Sequence, residues 1–236
     1  MTKRVGLIGG TVFYHNNFFK EAEQTKVDTI YGQVQVALSD QFVYTARHGT
    51  DRRHHILPHE INHPANLAAM KALEVTEVIG INSTGSLTHY LPPGTVVLPH
   101  DYICLSNIPT AAMNEALHII PELSREVRRK LIIAAKKAGV KLVHQGVYWQ
   151  TAGPRLETRA EIRLMANYTE LVGMTMAGEA TVAQELGLQY ASLCSVDNYA
   201  HGLTASPLSQ EEIQANATAN AGKIFNIIEA YLRSLT

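Results

Sequence analysis

Only two cysteines, Cys104 and Cys194, occur in the chain. They are too few for a disulfide framework, and a reduced, cytoplasmic setting suits them. No apolar run approaches the ~18 residues that would span a bilayer. The opening MTKRVGLIGG is too short and too glycine-rich for a signal peptide and reads as a first strand. Charge of neither sign prevails: 20 Lys and Arg stand against 21 Asp and Glu. Nothing therefore draws the chain as a whole to nucleic acid or to an anionic membrane. Also missing are GxGxxG and the glycine-rich loop ending in Gly-Lys-Ser or Gly-Lys-Thr, so neither a dinucleotide nor a nucleoside triphosphate is supported as ligand.

What the chain does have is alternation. Strand patterns at 5–8, 33–38, 42–45, 75–82, 94–103, 146–150 and 190–196 are interleaved with helical patterns at 64–73, 122–138, 158–167, 179–186 and 210–232. The runs 33–38 and 42–45 look like a hairpin pair. No repeat, low-complexity tract or linker interrupts the series, which predicts one α/β domain over residues 1–236 built on a mixed sheet.

Four polar or glycine-rich stretches follow predicted strands: Gly9-Gly10-Thr11, ARHGT from Ala46, NSTGS from Asn82, and Gly173-Met174-Thr175. In α/β folds ligands collect at the carboxyl ends of strands. Backbone N–H groups at glycine turns, the hydroxyls of Thr11, Ser83 and Thr175, and a cation at Arg47 suit a small oxyanion, although tight turns carry glycine for steric reasons alone. His55, His59 and His63 fall four apart, a spacing that on one helix would offer metal ligands. Pro58 and Pro64 break that helix, so no metal site is expected.

Seven segments in order resemble the trimeric purine nucleoside phosphorylase and methylthioadenosine phosphorylase family: GLIGGT, ARHG with LPHEINHPANLAAMKAL, NSTGSL, PGTVVLPHDYI, QTAGPRLETRAEIRL, VGMTMAGEATVAQELGL and YASLCSVDN. The resemblance spans nearly the whole chain. It implies a mixed twisted sheet or distorted barrel flanked by helices, a homotrimer or dimer of trimers, and a cytoplasmic enzyme of purine salvage. That enzyme is a pentosyltransferase with inorganic phosphate as co-substrate and no other cofactor. By position, Thr11, Arg47, His48 and Thr175 match phosphate-binding residues, backbone around Asn82 and Ser83 completes that phosphate shell, and Met174 matches the methionine that packs against the ribose. His54 or His55 matches a histidine at the 5′ end. The resemblance further implies that phosphate attacks the anomeric carbon of an oxocarbenium-like sugar, and that Arg47, as a bidentate contact, and His48 orient it.

The base specificity turns on Asp197 and Asn198. Counted without gaps from Tyr190, Asn198 lands on the base-reading position, and a slip of one residue would exchange the two. An amide can donate to O6 or N7 of a 6-oxopurine, whereas a carboxylate only accepts. Glu157 matches the glutamate that accepts N1–H of such a base, and Ala200 stands where the adenine-specific branch carries an aspartate. The expected reaction is phosphorolysis of inosine, guanosine or methylthioinosine. Methylthioadenosine phosphorolysis is the alternative, and a non-catalytic purine-binding protein a further one. Departures are Val12 for glycine, Gly178 for proline, and a loop from Arg47 to Pro58 two residues longer than usual.

Overall fold

The computed structural model describes residues 4–10, 22–50, 54–106, 108–114, 116–205 and 207–235. β1 (Val5–Gly9) is buried at every position, as a strand covered on both faces must be. β2 (Glu23–Thr29), β3 (Gly32–Leu38) and β4 (Phe42–Ala46) follow as an antiparallel meander, and β3 with β4 is the expected hairpin. The sequence pattern gave no sign of β2. Its residues EQTKVDT are polar and mostly exposed, as an edge strand permits. α1 (His63–Ala72) starts where the Asn62 side chain accepts from the Ala65 N–H and Pro64 occupies the first turn.

β5 (Glu77–Ser86) is the central strand. The single strand expected over 94–103 is instead two, β6 (Val96–Val97) and β7 (Asp101–Cys104). Pro99 between them has no N–H to give a ladder, and the two halves join different neighbours. α2 (Arg125–Lys137) is capped by Ser124. After β8 (Leu142–Val143) and β9 (Val147–Gln150), α3 (Arg159–Met165) opens with a capping box between Thr158 and Glu161. β10 (Leu171–Gly173), α4 (Met176–Glu185), β11 (Gln189–Tyr199) and α5 (Gln210–Leu232) complete the chain.

Among the described residues the strands form one mixed sheet of eleven, ordered β2-β3-β4-β1-β5-β10-β9-β7, with a branch in which β11 pairs with β5 and β6, and β6 with β8. β5 forks the sheet. Its first half runs parallel to β1 (Val5↔Glu77 to Ile8↔Gly80), its end runs antiparallel to β10 (Val172↔Gly85), and β11 follows its other edge throughout. β1 and β10 therefore part company along β5, opening a crevice at the carboxyl end of β1.

Among the described residues two large apolar cores hold the layers, with a smaller cluster of Leu87, Ile162, Met165, Val172 and Ala200 beside them. α2 and α5 cover one, with Leu131, Ile224, Ile227 and Ile228 fully buried, each worth roughly 1.5–3 kcal/mol. α1 and α4 cover the other around Met70, Tyr148 and Met176.

Candidate active site

The crevice holds a cavity whose wall includes Gly10, Arg47, His48, Ser83 and Thr175 at one end, and Glu157, Asn198, Ala200 and His201 at the other. Met174 and Pro58 are also on the wall, and both lie against Gly153. Thr11 and Val12 fall outside the described residues, as do residues 51–53 of the longer loop.

Arg47 is 2% exposed. Its Nε donates to Glu179 Oε1 at 2.5 Å, Nη1 to the Ile81 carbonyl at 2.7 Å and Nη2 to the Ile8 carbonyl at 3.0 Å. Tyr190 Oη donates to the other oxygen of Glu179 at 2.6 Å. Burial alone would lower the guanidinium pKa, but Glu179 more than offsets this and holds it above the ordinary value. Burial pushes the Glu179 carboxyl up while the guanidinium pushes it down. With a 2.5 Å contact to a group that keeps its proton, the ionised pair is the state the geometry supports. The fork expected for a bidentate anion contact is thus largely committed to protein, with one N–H left on each Nη. Gly10 makes this possible, since a Cβ there would stand 2.7 Å from Nη1.

Asn82 is buried behind the cavity rather than on its wall. Ser192 Oγ donates to Asn82 Oδ1 at 2.6 Å, and Asn82 Nδ2 donates to Thr175 Oγ1 at 2.7 Å. Because Thr175 accepts from Asn82, its own hydroxyl hydrogen is left to donate elsewhere. Asn82 therefore orients a donor.

Met176 begins α4 three residues before the helix expected at 179, which brings that helix's first turn to the site. Its amides do not face the cavity unpaired: Gln150 Oε1 accepts from Ala177 N at 2.6 Å and Gly178 N at 3.2 Å, and Tyr148 Oη accepts from Thr175 N at 3.2 Å. Gly178, where the resembling family has proline, leaves room for a neighbour. A Cβ there would lie 3.1 Å from both His63 Nε2 and Pro109 Cγ. His59 sits in a short 3₁₀ turn, Pro58–Glu60, and His63 opens α1, so the spaced histidines share no helix. Among the described residues no group of three or more His, Cys, Asp or Glu side chains is placed to hold a metal ion.

At the other end, Thr151 Oγ1 donates to Glu157 Oε1 at 2.7 Å, and His201 Nδ1 lies 3.2 Å from the Glu157 carbonyl. Asn198 pairs with Gly85 across β11 and β5, and its Nδ2 donates to the Tyr199 carbonyl at 2.9 Å. That leaves a second N–H and Oδ1 for the cavity. Asp197 is the extra residue of a β-bulge and is fully buried on the opposite side, bonded to Ser195 and to Asn220 of α5.

Of the residues chosen from the sequence, Arg47, His48, Ser83, Met174, Thr175, Glu157 and Asn198 share this one cavity. His55 stacks on His48 with ring centroids 4.6 Å apart, and neither His54 nor His55 is on the cavity wall. Sequence reasoning missed Glu179, Gln150 and Tyr148, whose partners are remote in the chain, and His201 beside Glu157. A buried acid in an apolar helix face was the available signal for Glu179.

The sequence profile of the Phosphorylase superfamily matches residues 4–233. A relative from Archaeoglobus fulgidus, described as a probable 6-oxopurine nucleoside phosphorylase, is 36% identical, with 98% of this chain and 96% of that one covered. One from Methanocaldococcus jannaschii, described as a probable S-methyl-5′-thioinosine phosphorylase, is 33% identical, with 97% and 91% covered. Methylthioadenosine phosphorylase from Schistosoma mansoni in complex with adenine has a TM-score of 0.86 at 24% identity, with 98% and 91% covered, a likeness of fold.

Proposed function

The chain belongs to the Phosphorylase superfamily, and from that premise we propose that it is a pentosyltransferase cleaving 6-oxopurine nucleosides (inosine, guanosine or methylthioinosine) with inorganic phosphate. The products are the free purine and ribose 1-phosphate or its methylthio counterpart. One observation carries this reading: a single cavity has donors for an anion at one end and an amide with a carboxylate at the other. Thr175, Ser83, His48 and the remaining N–H groups of Arg47 orient phosphate beneath the sugar. Asn198 donates to O6 or N7 as the base leaves with negative charge, and Glu157 accepts N1–H. Met174 packs against the ribose. A phosphate oxygen forms the new bond to the anomeric carbon while the bond to the purine breaks and its electron pair stays with the base.

Pro58, Leu208 and Ile213 give the cavity wall apolar surface, which suits a methylthio group as well as a hydroxyl at the 5′ position. The adenine-specific alternative needs Asp197 as base reader, and Asp197 is turned into the protein. The reading includes a homotrimer or dimer of trimers, for which Leu105, Met113, Leu117 and Ile120 supply exposed apolar surface. It also includes a cytoplasmic location and no metal requirement. Base release from inosine, guanosine, adenosine and both methylthio-nucleosides, with and without phosphate, tests it. Turnover of 6-oxopurines only with phosphate or arsenate is expected; equal turnover without phosphate would mean hydrolysis instead.

A further inference from the structure

His48 shows one edge of its ring to protein and the other to the cavity. Nδ1 lies 2.8 Å from the Ile56 carbonyl oxygen. A carbonyl only accepts, so Nδ1 carries the hydrogen. The opposite edge faces Gly10: His48 Cδ2 stands 3.8 Å from the place a Gly10 Cβ would occupy, and both residues line the cavity. Nε2 makes no hydrogen bond with the described residues.

The ring stays uncharged. Burial and the Arg47 guanidinium pull its pKa down to about 4, with the Ile56 carbonyl opposing and the stacked His55 adding to the fall. A neutral imidazole with its hydrogen on Nδ1 has a bare lone pair on Nε2. Such a lone pair repels a fully deprotonated oxyanion, and the contact becomes favourable only when the ligand brings a hydrogen of its own.

We propose that His48 is a specificity residue that accepts a hydrogen bond from a P–OH group, so that the site takes protonated phosphate or arsenate and discriminates against proton-free oxyanions such as sulfate. This deepens the phosphorolysis reading and rests on it. The deprotonated oxygens are left to the Thr175 hydroxyl and the remaining N–H groups of Arg47, which are all donors; the Ser83 hydroxyl is spent on Asp197. The bound anion is thereby fixed in rotation, with its proton held away from the oxygen that attacks.

Three measurements on the full-length protein test this. Calorimetric titration with phosphate and with sulfate near neutral pH is expected to show sulfate about tenfold weaker, the worth of one lost hydrogen bond. Nitrogen-15 imidazole spectra are expected to show His48 as the Nδ1–H tautomer, unchanged between about pH 5 and 8. His48→Gln, whose amide can turn an N–H toward the anion, is expected to narrow the phosphate-to-sulfate ratio by about tenfold. Equal binding of the two anions by the unaltered protein, or an Nε2–H tautomer, would overturn the proposal. Loss of phosphate-dependent turnover bears on the enzymatic reading alone, because the tautomer and the anion preference are read without turnover.

Discussion

Asp197 and Asn198 are consecutive in sequence and lie on opposite sides of β11. The bulge between Val196 and Asn198 leaves Asp197 out of the ladder register with β5. Two asparagines of α5 hold it there: Asn216 Nδ2 donates to the Asp197 carbonyl at 2.8 Å, and Asn220 Nδ2 to Asp197 Oδ1 at 3.2 Å. Burial raises the Asp197 pKa, opposed by Ser195, Ser83 and Asn220. With Asp197 pinned to α5, Asn198 is presented to the cavity.

Asn198→Asp should therefore lower kcat/KM on inosine by about two orders of magnitude or more, since a site built to pair a polar group discriminates strongly when that pair is lost. Asp197→Asn should leave the inosine-to-adenosine ratio within a few-fold while changing the unfolding midpoint. The reverse pattern in a kinetic panel would restore Asp197 as the base reader. A double-mutant cycle of Asn198 with Glu157 on inosine should be non-additive, because both read one base.

Arg47 and Glu179 form a buried pair, and breaking one partner strands the other charge. Arg47→Ala should cost about 3–5 kcal/mol in urea unfolding as well as raising the KM for phosphate. Replacing both residues with apolar side chains of similar volume should cost less than the sum of the two single changes. If Arg47→Ala unfolds with unaltered free energy, the ion pair contributes nothing to the fold.

Gly80 lies against the same cluster. A Cβ there would overlap Tyr190 Oη and stand 2.7 Å from Glu179 Oε2. Gly80→Ala should destabilise by about 1–3 kcal/mol through overpacking and raise the KM for phosphate by displacing Glu179 from Arg47. An increase in melting temperature would contradict this crowding.

His48 and His63 are both held neutral, chiefly by burial and then by Arg47, with pKa values lowered from 6.5 to about 4 and about 3. Each takes up a proton on unfolding once the pH is below 6.5, so the folded state is not penalised above that value and loses stability as pH falls toward those lowered values. The free energy of unfolding should drop between pH 6.5 and 4 by roughly 1.4 kcal/mol per pH unit for each histidine, on top of carboxylate effects at the acid end. His63→Phe should flatten that slope, and a slope unaffected by the substitution would place the proton uptake elsewhere.

Periodicity carried much of the fold. The hairpin of β3 and β4, the buried β1 and β5, and α5 at 210–232 all follow from local hydrophobic pattern and caps, which a chain carries wherever it goes. β2 was illegible because a polar edge strand has no pattern of its own, and 94–103 was misread as one strand because its division depends on which neighbours each half meets.

The candidate site divides the same way. Residue chemistry and motif order drew attention to Arg47, His48, Ser83, Met174, Thr175, Glu157 and Asn198. That Arg47 is spent largely on Glu179 and two carbonyls, that Asn82 works from behind Thr175, and that Asp197 faces α5 were decided by tertiary structure. The sequence by itself determined which groups can donate, accept or carry charge, because those properties are covalent. Which of them face the cavity was decided only when β1, β5, β10 and β11 came together, because hydrogen-bond partners 34 to 132 residues apart have no expression in local pattern.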